Sequence, residues 1–140
     1  MRTVTLDQFQ SYLNKGVTQD TIQKALNKGC IVVENDAKKR CPVGKTGLLR
    51  NSIRHWVEPN NEGFIGTRMD YAPYVEYGTG IYARDGDGRQ TPWVYRTADG
   101  EFYFTHGQQP QPYLEPALEN NVNEISRVML QTITQNLFKN

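Results

Sequence analysis

Two apolar stripes at helical spacing constrain the fold of this chain more than any other feature of its sequence. The first runs through Ile22, Ala25, Leu26, Gly29, Cys30, Val33 and Ala37, and the second through Leu114, Leu118, Val122, Ile125, Met129, Ile133 and Leu137. Residues that recur every three or four positions lie on one face of an α-helix. The sequence therefore predicts two long amphipathic helices, one in each half of the chain.

The limits of the first helix follow from its flanking residues. Thr18 is a typical N-cap, and Asp20 suits the positive end of the helix dipole. Pro42 disfavours helical backbone at Cys41, so the helix should end near Arg40. In the last helix, Pro116 fits only the first turn. A short helix is also predicted over residues 5–15, ending at Gly16, with an apolar side made of Leu6, Phe9, Tyr12 and Leu13.

Short runs typical of β-hairpins lie between the two long helices. Residues 50–58 and 63–67 are predicted to pair across a turn at residues 60–63, and residues 93–96 pair with 102–105 across Ala98-Asp99-Gly100. We predict an α+β fold in which a small antiparallel sheet of hairpins packs against two long amphipathic helices, with the short N-terminal helix added. The length of 140 residues fits one domain, residues 1–140.

A glycine-rich polar segment separates the two hairpins. It contains Gly78-Thr79-Gly80 and then Arg84-Asp85-Gly86-Asp87-Gly88-Arg89. Such composition is typical of a loop, and long loops are often functional. We predict a mobile loop near residues 78–90.

Apparent chemical motifs fail on spacing or context. Gly44-Lys45-Thr46 would need a glycine at position 39, which is Lys39, with a strand before the loop and a helix after it. Asp85-Gly86-Asp87-Gly88 is followed by Arg89 where a calcium loop needs its third polar ligand, and it lacks the bidentate glutamate. No catalytic residue, cofactor or metal ion is therefore expected.

The remaining titratable residues give no recognisable site. His55 and His106 have no cysteine or second histidine at ligand spacing. A small hydrolase that uses one of them at a dispersed site remains one hypothesis, which a pocket joining a histidine to carboxylates would support. Cys30 and Cys41 would lie about 16 Å apart along one helix. That distance is too long for a disulfide, so both thiols are expected to be free.

Charge is distributed unevenly although the net charge is only +1. The stretch 38–57 contains no acidic residue, whereas from Asp99 onward the chain has five acidic and two basic residues. Three interpretations stay open for the basic stretch: a solvated turn, contact with the acidic end of another subunit, or contact with DNA phosphates. Its cations are Lys38, Lys39, Arg40, Lys45, Arg50 and Arg54.

Four tyrosines crowd the segment before the glycine-rich loop, namely Tyr71, Tyr74, Tyr77 and Tyr82. Tyrosine combines apolar area with a polar tip, which suits protein interfaces. Packing in the core is the alternative, above all for Tyr74 and Val75.

Three stretches of the chain together resemble a known family. They are Cys41-Pro-Val-Gly-Lys-Thr-Gly-Leu-Leu-Arg-Asn-Ser-Ile53, Tyr71-Ala-Pro-Tyr-Val-Glu-Tyr-Gly-Thr-Gly80 and Gly107-Gln-Gln-Pro-Gln-Pro-Tyr-Leu-Glu-Pro-Ala-Leu118. In this order they are similar to the tail-component family of long-tailed bacteriophages, whose members are described as neck, head–tail connector or tail-completion proteins. The match covers about residues 18–135. One departure is Glu115, where the family often has arginine.

The resemblance implies a structural virion protein without catalysis. Copies would form a ring at the head–tail junction or tail end, next to connector or tail-tube proteins, with passive contact to genomic DNA and no membrane. Host cytoplasm is the expected place of assembly, and a DNA-contacting module that uses residues 38–54 is the alternative function. The residues predicted to carry assembly contacts are Lys45, Arg50, Arg54, Tyr74, Glu76, Tyr77, Arg84, Arg89, Glu115 and Glu119.

Overall fold

The computed structural model describes residues 5–7, 11 and 17–138. Its architecture is α+β, as predicted. The elements in chain order are α1 (Gln19–Arg40), α2 (Leu48–Ser52), β1 (Arg54–Glu58), β2 (Glu62–Gly66), α3 (Ala72–Tyr77), a 3₁₀ turn (Gly80–Tyr82), β3 (Trp93–Arg96), β4 (Phe102–Thr105), α4 (Leu114–Glu119) and α5 (Val122–Leu137). The helix predicted over residues 5–15 falls largely outside the described residues.

Helix α1 has the predicted limits. The Thr18 hydroxyl accepts a hydrogen bond from the Thr21 amide at 3.2 Å, which satisfies one of the donors that a helix start leaves free. At the other end Cys41 takes extended backbone before Pro42, so the helix stops at Arg40. With 22 residues, α1 is about 33 Å long.

Helix α5 is the main partner of α1. Gly29 lies where the two helices approach most closely, because a Cβ atom there would be 3.2 Å from both Ile125 Cγ2 and Met129 Sδ. The amide of Asn121 donates to Asp36 across the same interface at 2.7 Å. This packing partly buries Ile125 and Met129 of the second stripe against the first, which removes apolar area from water. Leu118 and Val122, which the sequence places in the same stripe, stay 53 and 55% exposed.

The last helix is divided, although the sequence predicts one continuous helix from Leu114. Helix α4 ends at Glu119 and α5 begins at Val122. The Asn121 side chain donates to the Ala117 carbonyl at 2.7 Å, and so replaces a bond that the helix break leaves open. Pro116 lies in the first turn of α4, as predicted.

The core sits between α1, α2, α3 and α4. Tyr113 and Ile53 are its largest fully buried side chains. The Tyr113 hydroxyl is buried without a hydrogen-bond partner among the described residues. Cys30 and Cys41 are free and buried, and burial raises the pKa of both thiols. They are therefore packing residues rather than reactive ones.

A prediction that fails concerns residues 50–52, expected to begin a strand. The structure has helix α2 there, and β1 starts only at Arg54. Gly47 adopts the left-handed region, with φ 63°, and the following turn buries Leu49 before Ile53 returns to extended backbone. A helix therefore follows Gly44-Lys45-Thr46. The element before this loop is α1, whereas a phosphate-binding loop of the P-loop type follows a strand.

The two hairpins form separate two-stranded sheets rather than one sheet. Strands β1 and β2 pair antiparallel with His55 opposite Ile65, and both pack against α1. Gln19 of α1 donates to the Pro59 carbonyl in their turn at 2.9 Å. Strands β3 and β4 have the predicted limits and turn. This second hairpin packs extensively against no other helix or strand that the structure describes.

Gly63 lets β2 pass close to α1. A Cβ atom at this position would lie 2.5 Å from the Cys30 sulfur, while the glycine backbone itself is unstrained. We expect Gly63→Ala to lower the free energy of unfolding by about 1 to 3 kcal/mol through overpacking. In a Cys30→Ala background the same change should cost less than about 0.5 kcal/mol, because the contact is gone. Equal losses in both backgrounds, measured by urea unfolding, would contradict this contact.

Candidate assembly surface

The β3–β4 hairpin exposes an apolar outer face. Its register places Val94 opposite Phe104 and Arg96 opposite Phe102, so these four side chains share one side of the ribbon. Val94, Phe102 and Phe104 are 60, 69 and 66% exposed. The guanidinium of Arg96 lies 5.6 Å from the Phe102 ring and covers only one end of the face. Large apolar side chains this open to water indicate a surface that another molecule covers.

The other face of the hairpin, which carries Trp93 and Tyr95, borders a groove. Tyr95 and Tyr103 stack across the two strands with ring centroids 5.9 Å apart. Trp93 and Tyr95 form one wall of the groove, and the guanidinium of Arg89 lies 5.5 Å from the Trp93 ring. The groove has a volume of about 930 Å³.

The tyrosine segment forms the opposite wall. Tyr71, Tyr74 and Tyr77 line the groove, so the structure brings two of the predicted assembly residues, Tyr74 and Tyr77, to one place. All three rings are substantially exposed. The groove therefore offers aromatic surface with polar tips, a composition common at protein interfaces.

Arg84 contacts both Tyr77 and Glu115 at the rim of the groove. Its guanidinium lies 4.4 Å from the Tyr77 ring and forms an ion pair with Glu115, and its amide donates to the Tyr77 carbonyl at 2.8 Å. Three of the predicted assembly residues thus meet at one point. Glu115, which departs from the family pattern, makes this charge contact within the chain.

Glu76 is buried, with 3% of its surface exposed. Its carboxylate accepts hydrogen bonds from the amides of Tyr113, Leu114 and Glu115 at 2.7, 3.0 and 2.8 Å. These are donors at the start of α4 that have no partner within the helix. Glu76 therefore holds the start of α4 in place, and the proposed assembly surface does not include it.

Close backbone contacts fix the first half of the predicted loop. The Thr79 amide donates to the Gln108 carbonyl at 2.9 Å, and the Ile81 amide to the His106 carbonyl at 3.1 Å. A Cβ atom on Gly80 would lie 2.0 Å from the His106 oxygen. The second and third sequence motifs thus form one structural unit, whereas mobility of the remainder of the loop stays a prediction.

The basic residues form a separate surface. Arg50 and Arg54 line a shallow cleft with Lys38 and Lys39, at the end of α1 opposite Thr18. Lys45 is exposed in the loop before α2 and does not line this cleft. Glu119 is exposed at the end of α4.

His55 offers no free ring nitrogen for catalysis. Nδ1 contacts the Glu34 carboxylate, and Nε2 lies 2.9 Å from Asn27 Oδ1. Burial alone would raise the pKa of Glu34, but hydrogen bonds from Lys38 and His55 lower it below its ordinary value. These contacts join His55 of β1 to Glu34 and Asn27 of α1. The pairing of a histidine with a carboxylate therefore has a structural role here, because it holds β1 against α1.

His106 packs against a neighbouring aromatic ring. The ring of His106 packs edge-on against Phe104, with centroids 5.2 Å apart. Within the described ranges, no three histidine, cysteine or acidic side chains converge as metal ligands would. In the same ranges, no helix has the length and apolar composition to span a membrane.

The exposed aromatic face of the second hairpin is not among the residues predicted from the sequence. The sequence does indicate such a face. A strand with one face in solvent should alternate apolar and polar residues, and Val94 and Phe104 interrupt that alternation. A further exposed pair, Trp56 and Phe64, stacks on the first hairpin with centroids 5.5 Å apart. It could be found from the same pattern.

Comparison with known proteins gives one match. The family model described as "Bacteriophage HK97-gp10, putative tail-component" matches residues 5–78, which is just over half of the chain. This range contains the first sequence motif and most of the second, while the third lies beyond it. Neither the curated proteins nor the solved structures gave a match.

Proposed function

This chain belongs to the HK97-gp10-like family of bacteriophage tail components, and from that premise we propose that it is a non-catalytic subunit of a ring at the head–tail junction or tail end. A tail component has its place in the virion. The subunit would fold in the host cytoplasm and join neighbouring connector or tail-tube proteins during tail completion and head–tail joining.

The outer face of the β3–β4 hairpin is the observation that carries this proposal. A lone two-stranded hairpin is marginally stable in water, and this one exposes Val94, Phe102 and Phe104. An exposed apolar face of this kind is typical of a site that contacts another molecule, and a subunit covered by its neighbour has such a contact.

A ring also requires two different surfaces on each subunit. Head-to-tail contacts repeat around a closed ring only if one patch of a copy fits another patch of the next. The hairpin face and the tyrosine-lined groove are two such patches. Arg84 and Arg89 line the groove. Their charges would determine how the next subunit is oriented in the groove more than how tightly it binds.

Polar substitution of the hairpin face tests this proposal. We expect Phe102→Ser/Phe104→Ser to reduce incorporation of the protein into phage particles at least about tenfold, since about 1.4 kcal/mol already changes an equilibrium tenfold. The fold should persist, because the hairpin makes no extensive contact with any helix that the structure describes. Incorporation is measured by complementing a phage that lacks the wild-type gene and quantifying the protein in purified particles.

Leu130→Ser provides a control. Leu130 is 63% exposed on α5, so its substitution also removes an exposed apolar side chain, far from the hairpin in sequence. This variant should enter particles normally. If the hairpin variant enters particles as well as the Leu130 variant, the hairpin is not the assembly contact.

A further inference from the structure

A shallow cleft lined only by polar and basic side chains lies where α1 meets α2. Its lining is Lys38, Lys39, Arg50, Asn51 and Arg54, and its volume is about 500 Å³. The two lysines come from the last turn of α1, where cations also stabilise the helix terminus. The arginines come from α2 and the first residue of β1.

Three of these cations form no close ion pair within the described residues. Lys38 pairs with Glu34, whereas Lys39, Arg50 and Arg54 have no described carboxylate within ion-pair distance. The charge of Lys39 still helps to lower the pKa of the nearby Asp36. Arg54 is held in place, since its guanidinium donates to the carbonyls of Asn51 and Ile53 at 2.7 and 2.8 Å. The cleft thus presents about three positive charges with no acidic residue in its lining.

The lining indicates which kind of anionic partner fits. A protein interface needs an apolar centre, and no apolar side chain lines this cleft. A single strand of nucleic acid would be expected to stack its bases on aromatic rings, and the lining has none. Arginine, lysine and asparagine side chains are, in contrast, common ligands of the phosphate backbone of duplex DNA.

We propose that this cleft binds backbone phosphates of double-stranded DNA without regard to sequence. The inference rests on the proposed function, because genomic DNA passes through a ring at the head–tail junction. DNA binding by the isolated protein can be measured without assembly, so the two proposals are tested separately. A protein that does not bind DNA could still form the ring. A protein that does not assemble could still be tested for DNA binding.

The test measures how tightly the full chain binds a labelled 20-base-pair duplex of arbitrary sequence. Fluorescence anisotropy of the duplex gives the affinity at each concentration of a salt series. With three phosphates neutralised, the logarithm of the affinity should fall with a slope of about −2.7 against the logarithm of salt concentration. Raising salt from about 50 to about 200 mM should therefore weaken binding about 40-fold. A second duplex of different sequence should bind equally.

Charge-matched variants locate the contact. Lys39→Gln/Arg50→Gln/Arg54→Gln should abolish binding, while Lys24→Gln/Lys28→Gln/Arg127→Gln, which removes three exposed cations outside the cleft, should retain it. Because Arg54 also braces α2, the double variant Lys39→Gln/Arg50→Gln leaves its bonds intact and should reduce the salt slope by about 1.8.

Three outcomes would overturn the proposal. They are no binding by the wild-type chain at low salt, equal losses in the cleft and control variants, and binding of polyglutamate as tight as that of the duplex. The last result would assign the cleft to an acidic protein surface instead.

Discussion

Replacing Glu76 with alanine is expected to destabilise the protein by about 3 to 5 kcal/mol. The amides of Tyr113, Leu114 and Glu115 donate to this one carboxylate, and all three would lose their acceptor. A buried donor without a partner costs about 1 to 3 kcal/mol, and the cavity left by the side chain prevents full relaxation. The measurement is urea unfolding followed by circular dichroism.

Two comparisons make this result specific. Glu119→Ala removes an exposed acid at the end of α4 and should change stability by less than about 0.5 kcal/mol. Glu76→Gln keeps one acceptor oxygen but directs an amide group at backbone donors, so it should fall between the two alanine variants. A loss below about 1 kcal/mol in Glu76→Ala would show that water replaces the carboxylate and that the contact does not organise α4.

Gly80→Ala is expected to destabilise the protein severely. Gly80 has φ +62°, and a Cβ atom there would lie 2.0 Å from the His106 carbonyl oxygen. Because that atom belongs to the backbone, a side-chain rotation cannot relieve the contact. We expect a loss of about 3 kcal/mol or more. Hydrogen exchange of the Thr79 and Ile81 amides should accelerate, since both donate to the displaced segment.

Gly86 supplies a control for the strain of the backbone itself. It has φ +72°, yet a Cβ atom there meets nothing within 4 Å. Gly86→Ala should therefore cost only the left-handed penalty of about 1 kcal/mol. The difference between the two variants measures the close approach alone, and equal losses would mean that Gly80 is needed only for its φ angle.

Local sequence signals predicted the long helices and the second hairpin because those elements are determined locally. Thr18, Pro42 and the Asp99-Gly100 turn act on their immediate neighbours, and the structure has helix and strand limits that agree with them. Helix α2 was missed since five residues are too few to show a period, and burial of Leu49 stabilises it. Tertiary packing decides such short elements.

The predicted assembly residues remain a prediction, but the structure shows which of them lie together. Tyr74, Tyr77, Arg84 and Arg89 all line the groove. Glu76 could not be assigned, because its partners lie 37 to 39 residues away. The hairpin face is absent from the predicted residues because aromatic strand residues usually pack inward.

Several residues of the three sequence motifs hold the fold together. Glu76 and Gly80 join the second motif to the third, while Leu49 and Ile53 of the first motif lie in the core. The exposed hairpin lies outside residues 5–78, the range that matches the family. The family match therefore does not cover the hairpin on which the proposed assembly contact rests.

Copy number in purified virions tests the central claim most directly. Quantitative mass spectrometry against labelled peptides should give several copies per particle, in the same number for every preparation, and electron microscopy should locate them at the head–tail junction or tail end. A closed ring requires such a fixed count. Absence of the protein from intact, infectious particles would contradict the proposal that it is a ring subunit of the virion.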